Sequence, residues 1–210
     1  MRRYKIIVRY VKLILKGIYE YIFGHICALI LYDKKYIKGK YFQGKYFGFL
    51  KSGWKWAISD FRARALLNTN SGIPYPISYG NHITNAKNIF FHPDDLFIFQ
   101  GKGKYFQAGI GEDAPIYIGE GTYIADNVGI ITTNHDLINL SQHLPGKSII
   151  IGKSCWIGFN CVILPGVTLG DRTIVGAGSI VTKSFTEGNC VIAGNPARFI
   201  KKTDTNNVIS

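Results

Sequence analysis

From about Ile77 onward, large aliphatic residues recur at six-residue spacing in separate arrays. The array is clearest from Ile151, where IGKSCW, IGFNCV, ILPGVT, LGDRTI and VGAGSI follow without a break and Val181 opens the next unit. The first place of each unit is Ile151, Ile157, Ile163, Leu169, Val175 and Val181. The fifth is Cys155, Cys161, Val167, Thr173 and Ser179, always small or β-branched, and Gly fills the second in four of the five. An earlier array, IGEGTY and IADNVG, starts at Ile118 and Ile124, and Ile77, Ile83 and Ile89 keep the spacing in weaker company. Neither a helix of period 3.6 nor a strand of period 2 produces a strict period of six. Short strands joined by sharp turns do, each coil burying its apolar face only against its neighbours. The fold class expected is therefore an all-β solenoid, a parallel β-helix with an interior of stacked Ile, Leu and Val. Small fifth-place residues leave the aliphatic ones room, Gly or Asn permits the turns, and Cys155 and Cys161 serve as core filler.

The period stops between Ile130 and Ile151, in a stretch that holds His135, Asp136 and a Pro-Gly pair. An extended loop that interrupts a rigid solenoid is where chemistry is commonly mounted.

The N-terminal region has a different pattern. Lys5, Arg9, Lys12, Lys16 and Glu20 follow one another at three- and four-residue steps, which on a helix makes one polar stripe beside a wide apolar face. Two partners suit such a helix: a membrane interface with anionic lipid, or another protein surface. Residues 34–56 mix basic, aromatic and glycine residues and read as an irregular, solvated connection. Residues 21–32 are apolar but too short to cross a bilayer, and the charges before them break up the apolar core of a secretory signal. The expected organisation is a basic amphipathic segment over 1–64, a possible membrane-surface anchor, then a hexapeptide-repeat domain over 65–202 and a tail over 203–210.

Net charge is +12, and its placement matters more than its size. Residues 1–64 hold fifteen Lys or Arg against Glu20, Asp33 and Asp60, whereas residues 65–210 hold ten of each sign. The basicity belongs to the appendage, so nucleic-acid binding by the main body is not expected. Four scattered cysteines, Cys27, Cys155, Cys161 and Cys190, give neither a disulfide framework nor a CxxC zinc pair, in keeping with a reducing compartment. His82, His92, His135 and His143 lack the spacing of a histidine zinc site, so no metal is expected to be required.

The stretch Ile151–Lys201, with WIG, PGVTLGD, VGAGSIVTK and AGNPAR in combination, resembles the hexapeptide-repeat acetyltransferases. The subgroup it resembles holds galactoside, maltose and xenobiotic acetyltransferases and polysaccharide O-acetyltransferases, and the similarity runs from about Pro115 to Lys201. It implies a left-handed parallel β-helix, a homotrimer with sites between subunits, and acetyl-coenzyme A as donor. In TTNHDL it places His135 as the catalytic base, which suits the chemistry: a sugar hydroxyl must lose a proton as it attacks a thioester, and neutral imidazole is a base matched to pH 7. Trp156 resembles the residue that shapes the active-site wall. Ala177, Gly178, Thr182 and Lys183 match the coenzyme-A groove, and Arg198 with Lys201 resembles the clamp on the nucleotide phosphates. The orienting partner of His135 stays open among Glu112, Asp113, Asp136 and a backbone carbonyl. KYFQAGIGEDAP departs from the subgroup where an Asn helps bind the acceptor, leaving Tyr105, Gln107 and Glu112 as acceptor candidates, with Asp113 beside them.

The function expected is O-acetylation of a sugar hydroxyl on a bacterial surface polysaccharide or its lipid-linked precursor, in the cytoplasm at the inner face of the membrane. The alternatives are N-acetylation of a nucleotide-linked amino sugar, a zinc enzyme on the same solenoid, and a scaffold that binds coenzyme A without turnover.

Overall fold

The computed structural model describes residues 2–44, 48, 51–109 and 114–203, with side chains in the first helix from Lys5 onward. Two compact units divide the chain, Met1–Tyr79 and Gly80–Ser210.

In the first unit, α1 (Arg2–Leu31) is followed by the short α2 (Lys34–Ile37) and by α3 (Ser52–Leu67). The second half of α1 packs on α3 through small residues. A Cβ at Gly24 would lie 2.6 Å from the Trp54 carbonyl oxygen, so only glycine permits this approach. Trp54 is buried, donates its indole N–H to the Gly48 carbonyl at 2.8 Å, and meets the rings of Tyr21 and Phe42 edge-on. Buried Asp60 is compensated by Arg64, at 3.0 and 2.8 Å, and by the Tyr32 hydroxyl at 2.8 Å, as a charge removed from water requires. Burial, with Asp60 alongside, pushes the Tyr32 hydroxyl far above the usual phenol range.

Two sequence expectations change here. The described part of the stretch from Lys34 to Trp56 is not a solvated connection: Tyr36, Ile37, Phe42 and Trp54 are buried, with Trp54 set between the Phe42 ring and Tyr21 of α1. Residues 21–32 are not a separate short apolar run either. They continue one helix, and Lys5–Leu31 is long and apolar enough, by length and composition, to cross a membrane. The helix α3 runs through position 64, and the first unit extends to Tyr79.

The second unit is the solenoid. Its strands are β1 (His82–Ile83), β2 (Ile89–Phe90), β3 (Tyr105–Gln107), β4 (Ile116–Ile118), β5 (Tyr123–Ile124), β6 (Gly129–Ile131), β7 (Ile149–Ile151), β8 (Trp156–Ile157), β9 (Val162–Ile163), β10 (Thr168–Leu169), β11 (Thr173–Val175), β12 (Ile180–Val181), β13 (Cys190–Gly194) and β14 (Ala197–Lys202). They form three sheets: β1-β3-β6-β9-β12, β2-β4-β7-β10 and β5-β8-β11-β13-β14. All pairings are parallel except β13 with β14, which folds back to close the last coil. From β4 to β12 successive strands visit the three sheets in turn, so each face of the coil is one sheet.

Register fixes the core. Ile150 pairs with Thr168 and Trp156 with Ile174, each 18 positions on, or three six-residue units per coil. Columns of buried side chains run along each face: Phe106, Ile130, Ile163 and Val181 on the first, Ile118, Ile151 and Leu169 on the second, Ile124, Ile157, Val175 and Ile192 on the third. All but Phe106 and Ile192 are first-place residues of the period.

The other places of the repeat have separate tasks. At the fourth, Ser154, Asn160, Gly166, Arg172 and Gly178 all have φ between 53° and 83°, the left-handed turn at each corner. The second-place glycines have a different role from turn-making: they lie where stacked coils touch. A Cβ at Gly152 would come 2.6 Å from the backbone nitrogen of Asp171 and one at Gly158 would come 2.6 Å from the Val175 carbonyl oxygen. At the fifth place, buried thiols and hydroxyls point to the second-place carbonyl of a turn. Cys155 Sγ reaches Gly170 O at 3.3 Å, Cys161 Sγ reaches Gly176 O at 3.0 Å, and Ser179 Oγ donates to Gly176 O at 2.6 Å. Burial pushes both thiols up from their ordinary range, which keeps them protonated core residues.

Replacing Gly152 by Ala puts a methyl group into backbone that cannot retreat, and overpacking of this kind costs about 1–3 kcal/mol. Thermal unfolding of Gly152→Ala is expected to show a clearly lowered midpoint, whereas Gly178→Ala, where nothing lies within 4 Å, loses less and only through its backbone angle.

Candidate active site

The coil that carries the long loop is enlarged without being distorted. Ile116 pairs with Ile149 and Ile130 with Ile163, each 33 positions on instead of 18, so the insertion adds fifteen residues while both flanking strands stay in register. The loop leaves at the end of β6 and is tied down at its root. Thr132 donates its backbone N–H to the Gln107 carbonyl at 3.0 Å, and the Gln107 side-chain oxygen accepts from the Thr133 N–H at 3.0 Å. Lys147 N–H returns to the Thr132 carbonyl at 2.8 Å, closing the base.

Beyond the root the loop is a small hairpin. Leu144 N–H donates to Asn134 O and Asp136 N–H to Gln142 O, both at 2.9 Å, and His135 faces His143 across the pair. The Asp136 carboxylate accepts from Ile138 N–H at 2.7 Å and Asn139 N–H at 3.2 Å, and Asn139 accepts from Ser141, so the tip is held by its own short polar side chains.

His135 Nδ1 lies 2.8 Å from the Leu140 carbonyl oxygen. A carbonyl only accepts, so Nδ1 carries the proton and Nε2 keeps its lone pair. The orienting group among those expected is thus the backbone carbonyl, since Asp136 is committed to the tip amides. Glu112 and Asp113 lie outside the described residues. The exposed His135 ring is flanked by His143, with ring centroids 4.3 Å apart.

Two cavities flank this hairpin. One of about 350 Å³ is lined by Gly109, Ala114, Thr133, His143, Leu144 and Gly146. The Thr133 hydroxyl there is buried and, among the described residues, without a hydrogen-bond partner, so it is available to a ligand. The other, about 460 Å³, is bounded by Asn134, Leu144, Pro145, Lys147 and Thr182.

The structure gathers some of the expected residues and separates others. Thr182 shares a cavity with the His135 hairpin, and Lys183 follows it, exposed. Ala177 and Gly178 form the exposed turn between β11 and β12. Arg198 and Lys201 stand exposed on β14, and neither they nor Lys183 form an ion pair among the described residues. Gln107 is engaged with the loop root. Tyr105 stacks on His82, with ring centroids 5.4 Å apart, on the face that carries β6. Trp156, 55% exposed, stands on the third sheet, a different face of the coil from the strand that leads to His135. Sequence reasoning missed Leu140, Thr133 and the contact of His143 with His135. Only the Asp136 and Asn139 turn residues hinted at a hairpin that would bring them together.

The family described as bacterial transferase hexapeptide (six repeats) matches residues 148–183. Galactoside O-acetyltransferase of Escherichia coli K12 is 34% identical over 143 residues, covering 66% of this chain and 64% of that protein. The putative colanic acid biosynthesis acetyltransferase WcaF of the same organism is 35% identical over 128 residues, 56% of this chain and 68% of that protein. A crystal structure of a maltose O-acetyltransferase from Clostridium difficile 630 is 34% identical, with 62% of each chain covered and a TM-score of 0.43. The chain thus spans slightly less than two thirds of the galactoside enzyme's length and slightly more than two thirds of WcaF. With its six-residue register and three-sided coil, the chain belongs to the hexapeptide-repeat transferases of left-handed parallel β-helix fold.

Proposed function

We propose that this protein transfers an acetyl group from acetyl-coenzyme A to a hydroxyl of a saccharide that belongs to a bacterial surface polysaccharide or its lipid-linked precursor. One observation carries the reading: His135 Nδ1 is fixed on the Leu140 carbonyl, which leaves Nε2 as a base at the mouth of a rigid hairpin between two cavities. Nε2 takes the proton of the acceptor hydroxyl as its oxygen attacks the thioester carbonyl. The Leu140 carbonyl then stabilises the imidazolium. As the carbon–sulfur bond breaks, the imidazolium returns that proton to the leaving thiolate, giving an ester and free coenzyme A. No residue is acylated on the way.

The cavity next to Thr133 and His143 suits the acceptor, since the unpartnered Thr133 hydroxyl can meet a sugar hydroxyl there. The cavity bounded by Thr182 suits the pantetheine arm, with Ala177 and Gly178 offering backbone groups and Lys183, Arg198 and Lys201 offering cations for the nucleotide phosphates. The placement of Trp156 supports a site completed by a second copy in a trimer, as do the exposed hairpin-tip residues Leu137 and Ile138, 91% and 98% accessible. Work at the cytoplasmic face of the membrane fits the names of relatives in polysaccharide biosynthesis.

Transfer from labelled acetyl-coenzyme A to polysaccharide fragments and amino sugars tests the reading. His135→Ala is expected to lose about 10²–10⁴-fold in kcat while still binding coenzyme A, the contribution of a positioned general base. Turnover that survives the substitution would sink the mechanism, and product formed only on amines would favour N-acetylation. Gln107→Leu, which strands the Thr133 N–H, is expected to lower kcat with little change in coenzyme-A affinity, and to speed hydrogen exchange at Thr133. Gln107→Glu, which still offers an acceptor oxygen, is expected to restore most of the rate.

A further inference from the structure

The helix α1, about 45 Å long, presents three distinct surfaces. At about 100° per residue, and with Gly24 taken as the direction of α3, Gly17, Cys27, Ala28 and Leu31 fall within about 60° of it. Gly17, Gly24, Cys27 and Ala28 are buried. Val11, Leu15, Ile18, Ile22, Ile26 and Leu29 lie about 120° to 200° away, and each is between 41% and 60% exposed. Lys5, Arg9, Lys12 and Lys16 form a stripe on one flank, about 60° to 120° from the packed face. Along the helix, fourteen large apolar side chains from Ile6 to Ile30 are exposed.

On the flank of that stripe, α1 and α3 enclose a cleft of about 500 Å³ that holds Lys16, Lys55 and Arg62, with Ser59, Tyr19 and Glu20. Glu20 is 3.8 Å from Lys16 and Arg62 donates to the Tyr19 hydroxyl at 3.3 Å, which leaves a surplus of positive charge and several donors facing outward.

We propose that α1 lies in the plane of an anionic lipid bilayer. Its Val11–Leu29 face sits among the acyl chains, and the Lys5–Lys16 stripe and the Lys16, Lys55 and Arg62 cleft lie against lipid phosphates. Charge complementarity selects this occupant: an apolar face opposite the packed one, bordered by cations and no acid before Glu20, matches a surface that is apolar within and anionic at its rim. A transbilayer orientation would draw Lys12, Lys16, Glu20 and the charges of the cleft into hydrocarbon, where such groups are costly. This docking does not depend on the transferase reading.

Co-sedimentation of the full chain with vesicles tests it, comparing neutral phosphatidylcholine with the same lipid containing about one third phosphatidylglycerol. Binding is expected to the anionic vesicles, weakening with salt and by about fivefold for each of Lys12, Lys16, Lys55 and Arg62 replaced by Gln. Ile22→Glu with Ile26→Glu is expected to abolish binding even at low salt. Equal partition onto both vesicle types, or none onto the anionic ones, overturns the proposal. So does retention after alkaline carbonate extraction, the behaviour of a spanning helix. Lipid-free self-association abolished by Ile22→Glu would instead assign the face to a second copy. Thermal unfolding and coenzyme-A binding, measured on each variant, separate loss of docking from loss of fold and from failure of the transferase reading.

Discussion

The structure depends on the contact between one coil and the next at the corners of the prism. There the backbones approach so closely that a single Cβ at Gly152, Gly158 or Gly170 would lie within about 2.3–2.6 Å of the neighbouring coil's backbone. That closeness fixes the register at 18 residues. It also brings the first-place aliphatic residues into continuous columns and lets thiols and hydroxyls of the fifth place reach turn carbonyls that would otherwise be buried without partners. Because each coil is seated only on its neighbours, an insertion is tolerated wherever the flanking strands keep their pairing.

The hairpin that carries His135 uses that tolerance. Its fifteen added residues are bracketed by β6 and β7, both paired on two sides, and its root is held by Gln107 on β3. Rigidity is transmitted from the stack to the loop by backbone hydrogen bonds, and within the loop by Asp136 and Asn139. The hydrogen bond from His135 to Leu140 is a consequence of that closure. A carbonyl five residues along the chain becomes the proton-holding partner that many sites take from a carboxylate. The neutral partner fixes the tautomer without adding a negative charge to the site.

The two units divide the physical work. The solenoid body is nearly neutral and carries the candidate chemistry, whereas the first unit holds the positive charge and the exposed apolar face.

The six-residue period by itself determined the solenoid, its core columns and the point where it is interrupted, because each place in the repeat meets the same surroundings in every coil. The spacing of charges also marked the amphipathic stripe of α1, and the break in the period, with the family resemblance, pointed to His135. The tertiary structure decided what depends on contacts distant in sequence. Second-place glycines proved to be sites of close approach, a role that shows only when coil is laid on coil. Phe42 and Trp54 became part of a packed aromatic seam since Trp54 meets α1 across thirty positions. The partner of His135, the availability of Thr133 and the separation of Trp156 onto another face follow from chain closure and strand order. A pattern read along the chain records which residues prefer burial or a turn; which of them meet is set by how the chain returns on itself.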